Sequence, residues 1–215
     1  NLLNVKDGDK VLEIGCGWGG FSEYLAKKNN VIIDCITISK KQFEYTKKKI
    51  FKSGLNNKVN VMFLDYRDLK DKYDKIASIE MIEAVGEKYL YQYFKKIKDS
   101  LSLGGLAALQ GITIKDELYE RYRNNEDFIQ KYIFPGGFLP SLNYINTLTR
   151  ENNLKLDKID ASGMLEILEM QKNEANSQFF KYVKSHYKSW LKDGDETPIL
   201  SHTLMKEKVF PNLSN

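Results

Sequence analysis

Apolar residues along this chain follow two alternating periods. Residues 10–15 (KVLEIG) form a short apolar run closed by a glycine cluster, the pattern of a buried strand. Residues 18–28 carry helix formers, with Phe21 and Leu25 four apart on one face. A second apolar run covers Val31 to Ile38, and Ser39 then suits the N-cap of a helix that ends at Gly54. Val59 to Leu64 predicts a third strand and Lys75 to Ile79 a fourth. Leu90, Phe94, Ile97 and Leu101 make one helical stripe, stopped by Gly104-Gly105, and Leu106 to Ile114 predicts a fifth strand. Strands alternating with helices predict an α/β fold with a doubly wound, mostly parallel sheet. Right-handed crossovers then put ligands at the C-terminal ends of the strands. The alternation stops near Ile159. Residues 1–159 are therefore read as one domain and 160–215 as a helical segment, in which Phe179, Val183, Tyr187 and Trp190/Leu191 share a face.

Composition narrows the classes. With 42% hydrophobic and 29% charged residues, the chain is an ordinary globular sequence, and no run reaches the roughly 18 apolar residues that would span a bilayer. Neither a secretory signal nor an initiator Met opens the sequence, so it is expected to begin inside a longer cytoplasmic protein. Cys16 and Cys35 make no disulfide framework. The net charge of +4 is mild and mostly lysine, with Arg only at 67, 121, 123 and 150. It permits contact with an anionic membrane, for which the basic, aromatic stretch from Lys115 to Tyr132 is a candidate. That stretch holds Tyr119, Tyr122 and Phe128 among Arg121, Arg123 and Lys131. No dense Arg/Lys block points to nucleic acid. His186 and His202 stand without the Cys or acidic neighbours of a metal site, and are read as surface or packing residues.

Gly15-Cys16-Gly17-Trp18-Gly19-Gly20 follows a strand and opens a helix. Glycines there let backbone approach a ligand and leave helix N–H groups free to hold it. The pattern also satisfies the dinucleotide fingerprint, or can be a plain tight turn. Glu13, inside the strand, suits the ammonium of a methionine moiety. A dinucleotide site instead needs an acid at the end of the second strand, whereas Asp34 falls mid-strand and reads equally as a pocket-wall carboxylate. Asp65 at the end of the third strand suits an adenine amine, and Tyr66 either stacks on the ring or is a half-buried aromatic. The combination favours a methyl donor.

Four stretches, VLEIGCGWGGFSEYLAKK, ITISKKQFEYTKKKI, MIEAVGEKYLYQYFKKIKDSLSLGG and FIQKYIFPGGFLPSL, resemble the cyclopropane-fatty-acyl-phospholipid synthase family from about Val5 to Ile159. The resemblance implies a Rossmann-like class I methyltransferase using S-adenosylmethionine, and an unsaturated phospholipid acyl chain as acceptor. It also implies peripheral contact at the inner face of the membrane. On the donor, Gly15, Gly17, Trp18 and Gly19 match the methionine-side loop. Thr37, Ile38, Ser39 and Gln42 match the ribose element, and Tyr66 and Arg67 the adenine side. Glu83 matches a residue that helps hold a bicarbonate ion near the reacting carbon, with Gln110 and Ile112 on the rest of that site.

The chain departs from the family pattern in three places. Gln110 stands where most relatives carry His, although a branch with Leu-Gln exists. The family's upstream segment, whose Cys touches the anion, lies before Asn1. The Tyr expected soon after Ile159 has no counterpart in Met164-Leu165-Glu166-Ile167-Leu168. From about Gly163 onward the resemblance ends. Two other readings remain at this level: a methyltransferase with a small-molecule acceptor or methyl-branched product, and a non-catalytic remnant.

Overall fold

The computed structural model describes residues 2–125 and 135–159. Five strands form one sheet: β1 (Lys10–Ile14), β2 (Ile32–Thr37), β3 (Val59–Phe63), β4 (Tyr73–Ile79) and β5 (Leu101–Gln110). Their order is β3-β2-β1-β4-β5, and every pairing is parallel. Helices α1 (Gly20–Lys28) and α2 (Lys40–Lys52) carry the chain from β1 through β2 to β3. The short α3 (Ile82–Val85) and α4 (Glu87–Ser100) return it from β4 to β5. The direction of winding reverses at β1, so the crossovers that precede β3 and those that follow it lie on opposite faces. The core divides accordingly. Val11, Ile33, Cys35 and Val59 pack with Leu25, Ala26 and Ile50 on one face. Leu12, Ile14, Ile36 and Ile76 pack with Leu90, Tyr93, Phe94 and Ile97 on the other. Strands buried on both faces lose the polar alternation of a half-exposed sheet, which is why they read as unbroken apolar runs.

The ends of α2 follow from its sequence. Ser39 caps the start, its Oγ accepting the Gln42 N–H at 3.4 Å. At the other end Gly54 takes a φ of +66°, and Leu55 N–H reaches back to Ile50 O at 3.1 Å, closing the left-handed cap that glycine favours.

Two expectations are corrected here. The fifth strand begins at Leu101, directly after α4, and not at Leu106. Gly104-Gly105 does not stop the helix; it carries a bulge inside the strand, where the register against β4 shifts between Tyr73 and Lys75. A Cβ at Gly105 would sit 3.0 Å from Ser102 O and 3.1 Å from Asp74 O, so the bulge requires its absence. The strand also ends earlier, at Gln110, and Ile114 instead makes an isolated bridge with Ser141. Helices α5 (Asp116–Arg123) and α6 (Leu142–Glu151) follow.

Of the two aromatic residues of α5, Tyr119 is buried and Tyr122 half-buried. Tyr119 is 9% exposed and packs on Phe138 and Tyr144, while the Tyr122 hydroxyl accepts the Leu139 N–H at 3.0 Å. The Tyr119 ring is thus packed inside, while Arg121 and Arg123 stay exposed, and Phe128, Lys131 and Tyr132 lie outside the described residues. The chain divides into Asn1–Lys158 and Ile159–Asn215. The helical stripe from Phe179 to Leu191, His186 and His202 fall in the second unit, outside the described residues. No helix among the described residues is long and apolar enough to cross a membrane.

Candidate functional site

The glycine loop is built between β1 and α1 at the C-terminal edge of the sheet. Gly15 and Cys16 N–H groups both donate to Ile36 O, at 3.1 and 2.9 Å, which pins the loop to the neighbouring strand. Gly15, Gly17 and Gly19 have φ of +78°, +50° and +72°. They are not equivalent. A Cβ at Gly19 would meet Thr46 Cγ2 at 2.5 Å, so Gly19 lets α1 start hard against α2, whereas a Cβ at Gly17 would meet nothing within 4 Å. Gly17 therefore presents bare backbone to open space, as close approach by a ligand requires. Trp18 is exposed and stands edge-on to Tyr45, with ring centres 5.2 Å apart.

This difference yields an expected result. Gly17→Val should leave the fold standing at the cost of one strained residue, about 1–2 kcal/mol, and should abolish donor binding in calorimetry. Gly19→Ala should instead lower the melting temperature sharply, because backbone and helix packing must both shift. Unchanged donor affinity in Gly17→Val would remove the loop from the binding site.

Glu13 lies beneath this loop. It is 3% exposed, in register with Cys35 on β2 and Ala77 on β4, and its carboxylate accepts a hydrogen bond from Ser22 Oγ on α1. Burial pushes the carboxyl from 4.5 up to about 7, against the opposing pull of Ser22 and Lys49. Its charge is thus available near neutral pH. Ser22 was not anticipated from sequence, where it reads as one more helical residue.

At the end of β2 a compact polar network forms. Thr37 Oγ1 donates to Gln42 Oε1 at 2.8 Å and accepts Ser39 N–H at 3.1 Å, while Ile38 projects outward, 68% exposed. Asp34 is engaged elsewhere: it accepts from Tyr73 Oη at 2.9 Å and Asn60 Nδ2 at 3.0 Å, with Lys10 at 3.8 Å. It is a wall residue, and no acid stands at the strand end where a dinucleotide ribose would need one. After β3, Asp65 caps a single 3-10 turn over Tyr66–Asp68, accepting Arg67 N–H at 2.9 Å. The Arg67 guanidinium grips the same carboxylate at 2.9 and 2.6 Å and holds its pKa below the usual range. Tyr66 is half-buried and edge-on to Tyr93 at 5.3 Å.

The ends of β4 and β5 assemble the third group. Glu80 adopts a φ of +51°, rare for a non-glycine residue, and its N–H donates to Gln110 O at 2.9 Å. This turn swings Met81 against the glycine loop, where its Sδ would lie 3.2 Å from a Cβ at Gly15. Glu83 follows on α3. Its Oε1 accepts the Ile112 N–H at 2.5 Å, and its Oε2 is buried with no hydrogen-bond partner among the described residues. Ile112 contributes its backbone, its side chain being half exposed, and Gln110 contributes its carbonyl while its side chain faces out. Two supporting positions escaped the sequence reading. Gly111 has no room for a side chain, since a Cβ would meet Ile82 Cγ2 at 2.4 Å and Glu83 Oε1 at 3.2 Å. Phe138 N–H donates to Glu83 O at 2.9 Å, joining the Pro135-Gly136-Gly137 stretch to the Glu83 segment. A Cβ at Gly86 would likewise press on Gly136 O at 3.0 Å.

Comparison with known proteins identifies the family and the fold. The sequence pattern of the mycolic acid cyclopropane synthetase family matches residues 1–197, past the point near Gly163 where resemblance by motif ends. The chain is 35% identical over 162 residues to a probable fatty acid methyltransferase of Pseudomonas putida, covering 74% of this chain and 41% of that one. It is 35% identical over 164 residues to the tuberculostearic acid methyltransferase UfaA1 of Mycobacterium tuberculosis, covering 76% and 38%. It is 38% identical over 143 residues to the cyclopropane-fatty-acyl-phospholipid synthase of Escherichia coli K12, covering 66% and 35%. The chain thus spans about two fifths of the length of these relatives or less. Among solved structures, mycolic acid cyclopropane synthase CmaA1 complexed with SAH and CTAB aligns with a TM-score of 0.67 at 25% identity, over 74% of this chain and 59% of that one. The fold is that of class I methyltransferases, and the chain belongs to the mycolic acid cyclopropane synthetase family.

Proposed function

We propose that this chain is the donor-binding part of an enzyme that transfers a methylene group from S-adenosylmethionine to the double bond of an unsaturated phospholipid acyl chain. The product is a cyclopropane. The observation that carries the reading is Glu83, a carboxylate tied by one oxygen to Ile112 just past the end of β5 while the other is buried with no hydrogen-bond partner among the described residues, two positions after the Met81 that lies against Gly15. A structural tie would satisfy both oxygens; a reaction centre keeps one for a ligand.

The residues fit the donor. Bare backbone at Gly17 and the neighbouring Gly15, Trp18 and Gly19 receive the methionine end, whose ammonium Glu13 complements once ionised. Thr37, Ile38, Ser39 and Gln42 line the ribose side, with Asp65, Tyr66 and Arg67 at adenine. The donor supplies an electrophilic methyl on a sulfonium sulfur. An alkene is a weak nucleophile, so the protein's part is to hold the two carbons in line and exclude water. Methyl transfer uses the alkene π pair and leaves a carbocation on the chain. A proton then leaves the new methyl, and its C–H pair closes the ring. Tyr119, Tyr122, Phe138 and Tyr144 form a contiguous aromatic cluster joined to the Glu83 segment through the Phe138 N–H, and rings of this kind could steady a nearby cation with their π electrons. Bicarbonate fits the orphan oxygen, since its O–H could donate to Glu83 Oε2, which the Ile112 N–H holds in place through the other oxygen; Gln110, whose side chain is exposed at the same strand end, would have to turn inward to join it. Such an ion supplies the base for the departing proton. We further assign the enzyme to the cytoplasm, at the inner face of the membrane that would hold such an acceptor.

A second reading gives a methyl-branched chain. It is favoured by Gln110, an amide that cannot titrate, and by the tuberculostearic acid methyltransferase among the relatives. Acceptor class is tested by presenting the whole protein with donor labelled in the methyl group and vesicles of defined lipid. Label is expected in monounsaturated phospholipid and absent from fully saturated phospholipid. Label in neither, with transfer to a soluble small molecule, would overturn the lipid reading.

A further inference from the structure

The outward face of α2 carries far more positive charge than the fold needs. Lys40, Lys41, Lys47, Lys48 and Lys52 are exposed there against a single acid, Glu44. Lys49 differs: it is drawn inward to Glu23 at 2.9 Å and the Trp18 carbonyl at 3.4 Å. Lys40, Lys41, Lys48 and Lys52 take part in no ion pair among the described residues. Spacing at i, i+4, i+7 and i+11 puts Lys41, Tyr45, Lys48 and Lys52 on one stripe. Large rings accompany the charge. Tyr45 is 53% exposed, Trp18 stands against it from the glycine loop, and Phe51 is 72% exposed on the flank of the same helix. Neighbouring α1 adds exposed Tyr24 with Lys28 over its ring at 4.7 Å. On the opposite side of the sheet, α4 pairs its exposed Lys95 with Asp99 at 2.5 Å.

From the stripe of Lys41, Tyr45, Lys48 and Lys52 with Trp18 at its edge, we propose that α2 docks on an anionic lipid bilayer, with the Trp18–Tyr45 pair seated at the headgroup level. Lysines that repel one another on a free surface are complemented by anionic headgroups, and Trp and Tyr are the side chains that settle at a membrane interface. Nucleic acid is the poorer partner, because this face carries no arginine. Trp18 also belongs to the donor loop, so docking sets that loop against the surface from which an acyl chain is drawn. That purpose rests on the lipid-acceptor reading, whereas the docking itself does not.

The test uses the full chain and vesicles of saturated phosphatidylcholine with or without saturated phosphatidylglycerol, so that no acceptor double bond is present. Flotation should follow the anionic lipid and fall steeply with added salt. Combined K41Q, K48Q and K52Q should weaken it about a hundredfold, at about fivefold per charge removed, with donor affinity unchanged. In a Trp190→Phe background, Trp18 emission should shift to the blue on anionic vesicles alone. Equal flotation on phosphatidylcholine, or undiminished binding by the triple variant, would overturn the proposal. So would tighter, lysine-dependent binding of a DNA oligonucleotide. Failure of label transfer to unsaturated lipid while flotation persists would strike the acceptor reading and leave the docking face standing.

Discussion

Glu83→Gln is expected to bind S-adenosylmethionine within about twofold of the unaltered protein while forming product at least a hundredfold more slowly, the scale set by removing one preorganised group at a reacting centre. The two parts of this result separate chemistry from architecture. Glutamine presents an oxygen that can still accept the Ile112 N–H, so the tie between α3 and the end of β5 survives. The change falls on the second oxygen, which is buried and has no hydrogen-bond partner among the described residues. An amide there donates hydrogen bonds and carries no charge, so it can neither accept the O–H of a bound anion nor balance positive charge developing on the acyl chain. Single-turnover assays with saturating donor measure the step directly. Retained turnover would mean that Glu83 only fastens the strand end.

The second large effect concerns stability and pH. Burial raises the Glu13 carboxyl from 4.5 to about 7. Below pH 4.5 the group is protonated whether folded or not, and its burial adds no pH-dependent cost. As pH rises through 7 the unfolded chain ionises freely while the folded one resists, so stability falls across that window. The full difference is about 3 kcal/mol at 1.36 kcal/mol per pKa unit. Glu13→Gln keeps a partner for Ser22 and removes the ionisation. In chemical denaturation without ligand it should therefore be more stable than the unaltered chain at pH 8 by roughly that amount, with the advantage vanishing at pH 4. Donor affinity should show the opposite trend: it should rise with pH between 5 and 7 in the unaltered protein and stay flat in Glu13→Gln. A variant less stable at pH 8 would show that the carboxylate is compensated in a way its surroundings do not suggest.

How much of this was legible in the sequence depends on how local each feature is. The first four strands lie within two residues of their expected bounds: β1, β2 and β4 because central strands buried on both faces read as apolar runs, and the edge strand β3 because only Asn60 interrupts its apolar residues. The glycine loop and the Ser39 cap are likewise written in adjacent residues. The fifth strand was misjudged because Gly104-Gly105 is a helix stop by composition and a bulge only in the presence of Asp74 across the ladder. Glu83, Gln110 and Ile112 were expected at one strand edge, and the register of Ile79 with Gln110 brings them there. Which atoms meet was not legible: it is the Ile112 backbone that bonds Glu83, made possible by the left-handed turn at Glu80 and the missing side chain at Gly111. The burial of Tyr119 is not legible either, because alternating rings and arginines resemble an interfacial helix until Phe138 and Tyr144 pack on that ring.

Methylene transfer to an acyl double bond changes the mass and the ozone sensitivity of membrane lipids, and both are read by mass spectrometry. The full-length gene would be expressed in a host that lacks ring-forming enzymes, with the lipids treated by ozone before analysis. The account predicts monounsaturated acyl chains heavier by one methylene group and resistant to ozone, since a cyclopropane has no double bond to cleave. Chains of unaltered mass, from a host in which the protein is present and binds its donor, would contradict it.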